Sequence, residues 1–166
     1  MPKTRKLALM AMFTAASLIV FVIEAQIPAP IPVPVVKLGL ANIVTLIAMV
    51  MLGRREAGLI LLVRIAMGSM FTGGVSAFIF SIAGGALAYA VMCLTLKLFP
   101  EKLLWVVSVL GAAAHNLGQL AAAIIITKTS SLILYAPALL ASAVITGAFT
   151  GIAAMYLIRR LDKRVG

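Results

Sequence analysis

Apolar runs broken only by short gaps constrain this chain more than any other feature. A bilayer-crossing helix needs about 20 consecutive apolar residues, with a working range near 17–25. The sequence divides into stretches of roughly that kind: Leu7 to Ile27, Leu38 to Gly53, Glu56 to Met70, Ser76 to Leu96, Leu103 to Thr127 and Leu132 to Arg160. The second and third are short. Their junction, Gly53-Arg54-Arg55-Glu56, reads as a tight helix-to-helix turn, because glycine ends a helix and a glutamate favours the next N-terminus. The expected fold class is therefore all-α, a polytopic membrane bundle of about six transmembrane helices forming a single domain over residues 1–166.

Composition agrees. The chain is 64% hydrophobic and 11% charged, with a mean hydropathy of +1.21, which exceeds what the polar surface of a water-soluble domain could cover. Fourteen Lys and Arg stand against four acidic residues, Glu24, Glu56, Glu101 and Asp162. In a soluble protein such an excess would suggest nucleic acid. Here the cations sit in the gaps between apolar runs without interleaved aromatics, so the charge is a topology signal and no nucleic-acid partner is expected.

With the N-terminus inside, the inner segments collect Lys3, Arg5, Lys6, Arg54, Arg55, Lys97, Lys102, Arg159, Arg160, Lys163 and Arg164, and only Lys37 and Lys128 fall outside. Basic loops resist translocation. A multi-pass protein of the cytoplasmic membrane with both termini cytoplasmic is the expectation. The basic front and first apolar run imitate a signal peptide, but that run leads into Glu24 and a proline stretch, so it is expected to remain as the first span. Cys93, the single cysteine, excludes an internal disulfide and a cysteine-based zinc site. No metal or cofactor is expected.

Ionisable groups at membrane depth are costly and usually face a cavity or a partner. Arg64 lies eight residues beyond Glu56, about 12 Å along a helix rising 1.5 Å per residue. It is expected either to bind an anionic ligand or to pair with Glu24 or helix-end carbonyls. His115, Asn116 and Gln119 cluster on the fifth helix, with His115 and Gln119 on one face. Glu24 and Gln26 close the first helix while Lys37 and Asn42 open the second. Between them the alternating prolines of 27–35 favour a stiff segment, either an apolar lid or a loop in the headgroup region.

Gly68 to Val75 joins helices three and four, and its paired glycines permit close ligand approach. The lysine and hydroxyl residue of a phosphate loop do not follow, so no nucleotide site is expected. Phe71, Phe78 and Phe80 either line a pocket or anchor at the interface. Small residues at four-residue spacing, Gly84 and Ala88, Ala114, Gly118 and Ala122, and Ala143, Gly147 and Gly151, are expected to let helices pack closely.

Glu24 with the proline segment, Lys37-Leu-Gly-Leu-Ala-Asn42, Arg64, Phe71-Thr-Gly-Gly74 and Phe80-Ser-Ile-Ala-Gly-Gly85 resemble the Gx transporter family, long labelled heptaprenyl diphosphate synthase component I. The layout is also similar to the S components of energy-coupling factor (ECF) transporters. That resemblance implies a small substrate-binding membrane protein with an outward cavity for a vitamin-like molecule. It also implies docking of a transmembrane coupling subunit on Ala11 and Ala15 of helix one, with partner ATPases supplying energy.

Substrate-binding residues are expected to be Glu24, Lys37, Asn42, Arg64, His115, Asn116 and Gln119, the cations taking a small anionic, vitamin-like or isoprenoid-like molecule. An enzyme is not expected. Prenyl diphosphate synthesis needs clustered aspartates for magnesium, and the one aspartate is Asp162; His115 has no neighbouring nucleophile. The alternative is a non-catalytic accessory subunit that holds a prenyl diphosphate or quinone precursor for a soluble synthase.

Overall fold

The computed structural model describes residues 2–27 and 39–165, the stretch 162–165 as backbone only. Six α-helices form: α1 (Lys3–Gln26), α2 (Asn42–Met51), α3 (Arg54–Thr72), α4 (Gly74–Thr95), α5 (Leu104–Thr127) and α6 (Ala136–Val165). Short 3-10 turns, Glu101–Leu103 and Ser130–Tyr135, lead into α5 and α6. No strand occurs among the described residues, and the fold is the expected all-α bundle.

Among the described residues four segments are long and apolar enough to cross a bilayer: Lys3–Gln26, Gly74–Thr95, Glu101–Thr127 and Ser130–Leu161. The six helices match the expected bundle, and two of them fall short of that threshold. Helix α2, at 10 residues, reaches only about 15 Å. Helix α3 has 19 residues but carries Arg54, Arg55, Glu56 and Arg64, so charge rather than length keeps it below the apolar threshold.

Helix α2 begins later than the apolar run suggests because Gly39 to Ala41 form a turn that precedes it. Gly53, at φ 106°, then reverses the chain into α3, a conformation that costs a side-chain-bearing residue dearly. The Ala48 carbonyl accepts from the N–H groups of both Leu52 and Gly53, closing the end of α2.

The short helix is the hub. Helix α2 packs against each of the other five, and its residues Leu46, Ile47, Ala48 and Met49 form one apolar core with Ile60, Ala88, Met92, Val107 and Ala154. Helices α3 to α6 run as successive antiparallel neighbours, whereas α1 lies parallel to α3, with Lys6 paired to Glu56 at one end and Phe21 against Gly68 further along.

Glycines set the tightest approaches. A methyl group on Gly118 would lie 2.6 Å from the Ala83 carbonyl oxygen, one on Gly147 2.6 Å from the Val109 Cα, and one on Gly151 2.5 Å from the Trp105 Cα. The small-residue faces of α4, α5 and α6 thus serve packing within the bundle, as dispersion between helices requires. A buried Ser108–Thr150 hydroxyl contact of 3.0 Å adds a polar tie between α5 and α6.

This arrangement gathers Lys3, Arg5, Lys6, Arg54, Arg55, Lys97, Lys102, Arg159 and Arg160 at one end of the bundle, where α1 begins. Lys128, exposed and in a left-handed backbone conformation, caps α5 at the opposite end.

Candidate binding site

Arg64 projects from the middle of α3 into the interior and is 2% exposed. Its Nε and Nη1 have no hydrogen-bond partner among the described residues. The ring of Phe21 lies over the guanidinium, 5.9 Å from its carbon to the ring centroid. That ring fits only because Gly68 leaves room for it: a Cβ there would fall 2.5 Å from two ring carbons. A cation–π contact stabilises a desolvated guanidinium by about 2 kcal/mol, less than an unpaired buried charge costs. Phe21 holds Arg64 in place without supplying a hydrogen-bond acceptor for it.

The expected alternative, a direct Glu24–Arg64 pair, does not form: the two attract each other across a gap wider than an ion-pair contact. Glu24 is committed elsewhere. Its carboxylate accepts from the N–H groups of Gly39 and, at 3.4 Å, Ala41, and the Leu40 N–H also turns toward it. Consecutive amides converging on a carboxylate ahead of a helix make a favourable anion cradle. Gly39 permits it by adopting φ +78°, and a Cβ there would lie 3.0 Å from the His115 ring and from the Asn42 side chain.

Phe21, Glu24, Gly39, Ala41, Asn42, Arg64, Ser81 and His115 enclose a cavity of about 10 Å³. Asn42 Nδ2 and Ser81 Oγ, like the two arginine nitrogens, are buried without partners. Donors therefore outnumber acceptors on this wall, since Arg and the Asn amide nitrogen can only donate. Such an arrangement suits an oxygen of an anionic group. The space admits about one water-sized atom.

Of the residues expected to bind substrate, Glu24, Asn42, Arg64 and His115 come together here. Lys37 lies outside the described residues, as does the proline segment over 28–35. Asn116 points away: its Nδ2 donates to the Leu139 carbonyl at 2.8 Å and approaches the Ser142 hydroxyl at 3.4 Å, tying α5 to α6. Gln119 is fully buried one turn from His115, its side chain packed on Gly84 beside the cavity rather than in its wall. Among the phenylalanines, Phe80 packs with Ala122 and Ala123, Phe71 is exposed, and Phe78 borders a shallow recess with Ser69, Met70, Gly74 and Val75.

Ser81 and Phe21 were not singled out by sequence as members of this site. A signal existed for Ser81, which shares a helix face with Gly84 and Gly85 at three- and four-residue spacing. A hydroxyl beside two side-chain-free positions marks a face that another element approaches closely.

Fold and site together define a class: a membrane-type helical bundle whose interior holds a small, donor-rich polar chamber around a buried arginine. A family model described as heptaprenyl diphosphate synthase component I matches residues 13–157. The chain belongs to that family. No curated protein and no solved structure matches it.

Proposed function

We propose that the protein is the membrane-embedded substrate-binding component of a transporter of the energy-coupling factor type, taking a small anionic, vitamin-like or isoprenoid-like molecule at the Arg64 chamber. The observation that carries this reading is Arg64 itself, buried with two unpartnered nitrogens facing an enclosed space. A guanidinium kept desolvated and unpaired in an apolar bundle is expensive, and a ligand's anionic oxygen removes the expense. Asn42, Ser81 and His115 orient that group, and Lys37 adds a second cation from the outer side. The protein binds and carries its ligand without reacting with it.

A vitamin-sized molecule needs a pocket of about 300–1,000 Å³, so the walls separate when it enters. Helix α1 is the wall suited to move. Among the described residues it packs substantially against α2 and α3 alone, and it supplies both Phe21, which covers Arg64, and Glu24, which holds the turn before α2. The basic end faces the cytoplasm by the positive-inside rule, which places both chain termini there and the Glu24–Asn42 region toward the outside.

Ala11 and Ala15 are exposed on α1, together with Leu7, Met12 and Ile19. A transmembrane coupling subunit docks on this face, and ATPases bound to it supply the energy. The family description supports a second reading, in which the protein is an accessory subunit of prenyl diphosphate synthesis that holds a precursor in the same chamber. Affinity purification of the membrane assembly separates the two. Recovery of ATPases with a coupling subunit, lost in an Ala11→Trp/Ala15→Trp variant, supports transport; recovery of a soluble prenyltransferase in their place refutes it.

A further inference from the structure

We infer that a groove between α3 and α4, separate from the Arg64 chamber, is a binding site for an anionic phospholipid, its acyl chain lying along the groove and its phosphate on Arg55. The groove has a volume of about 460 Å³ and shares no lining residue with the chamber. Leu59 and Leu62 of α3 face Ile82 and Ala86 of α4 across it. From Arg55 to Leu62 it extends about 10 Å along the helix, the depth of a chain segment below a headgroup.

Both of its ends are defined by chemistry. At the basic end, Gly58 leaves space for the Tyr89 ring, and the Tyr89 hydroxyl donates to the Arg54 carbonyl at 2.7 Å. This contact braces the turn from which Arg55 projects. Arg55 is exposed, and the adjacent Glu56 is engaged by Lys6. An available cation at headgroup level above an apolar channel complements a phosphate carrying a hydrocarbon chain. A partner helix would meet the channel but would leave the guanidinium unused.

The test reconstitutes the full chain in nanodiscs of equal parts phosphatidylglycerol and phosphatidylcholine, releases it, and counts retained lipids by native mass spectrometry. Wild type is expected to retain phosphatidylglycerol about fivefold over phosphatidylcholine: both offer a phosphate to Arg55, but the choline cation of the latter offsets the attraction, a difference of about 1 kcal/mol per basic residue at the surface. Arg55→Gln brings the two near parity. Ala86→Phe, which fills the channel at an exposed position, lowers retention of both. Arg159→Gln, at the same end but outside the groove, leaves the preference unchanged.

Parity in the wild type, or a preference that survives Arg55→Gln or vanishes equally with Arg159→Gln, overturns the inference. Retention of a prenyl diphosphate in place of phospholipid overturns it as well. Arg64→Met, which empties the chamber, is expected to leave lipid retention intact, so this inference and the proposed function fail separately.

Discussion

Replacing Arg64 by methionine should leave the protein as stable as wild type or more stable, because no protein group among the described residues bonds Nε or Nη1 of the guanidinium. Nε and Nη1 are buried without partners, and each such group costs about 1–3 kcal/mol, more when charged. Against this the variant forfeits the Phe21 contact, about 2 kcal/mol at most, and the attraction of a Glu24 already satisfied by backbone amides. Methionine is flexible enough to fill the vacated space. The balance favours the variant by roughly 2 kcal/mol, and in a chain of this size each kcal/mol moves Tm by about 2–4 °C. Were Arg64 one half of a structural buried pair, its removal would cost about 3–5 kcal/mol instead.

Denaturant unfolding in detergent distinguishes the cases, followed by the fluorescence of Trp105, the only tryptophan. Its Cα abuts Gly151 of α6, so it reports separation of α5 from α6. A fall of several kcal/mol in the ligand-free variant would refute the reasoning and make Arg64 a strut of the fold.

Other consequences follow from the packing. Gly118→Val places a branched side chain where even a methyl would lie 2.6 Å from the Ala83 carbonyl oxygen; a loss of about 1–3 kcal/mol is expected in the same unfolding assay, whereas Ala121→Val on the exposed side of α5 should change little. Glu24→Ala removes the acceptor for the Gly39 and Ala41 amides, and hydrogen exchange at those amides should rise while the amides of α5 stay protected. Lys6→Ala breaks an ion pair at the exposed end of the bundle, and no resolvable shift in Tm is expected in a thermal scan.

The helices were legible because membrane helices are written as apolar length, and the glycine faces of α4, α5 and α6 because close packing needs small residues at four-residue spacing. Helix α2 was only partly legible. Its apolar run continues back to Leu38, but the Glu24 carboxylate gathers the amides of the turn before Asn42, a tertiary contact that no local pattern encodes.

Arg64 was legible as the one charge in the apolar stretch of α3 beyond its charged first turn. Its environment was not. Treating His115, Asn116 and Gln119 as one polar cluster overlooked the 100° turn between successive helical residues, which swings Asn116 onto Leu139 and Ser142 of α6 when His115 faces the chamber. Ser81 escaped notice because a serine in a membrane helix can satisfy itself on the preceding turn. Only the three-dimensional arrangement shows its hydroxyl unpartnered beside Arg64.

Native mass spectrometry of the protein, purified gently and stripped of detergent in the gas phase, tests the central claim most directly when wild type is compared with Arg64→Met. The account predicts a small anionic molecule retained by the wild type and absent from a folded Arg64→Met variant. Identical spectra for two folded proteins, either both empty after exposure to candidate carboxylates and phosphates or both holding the same molecule, would contradict it.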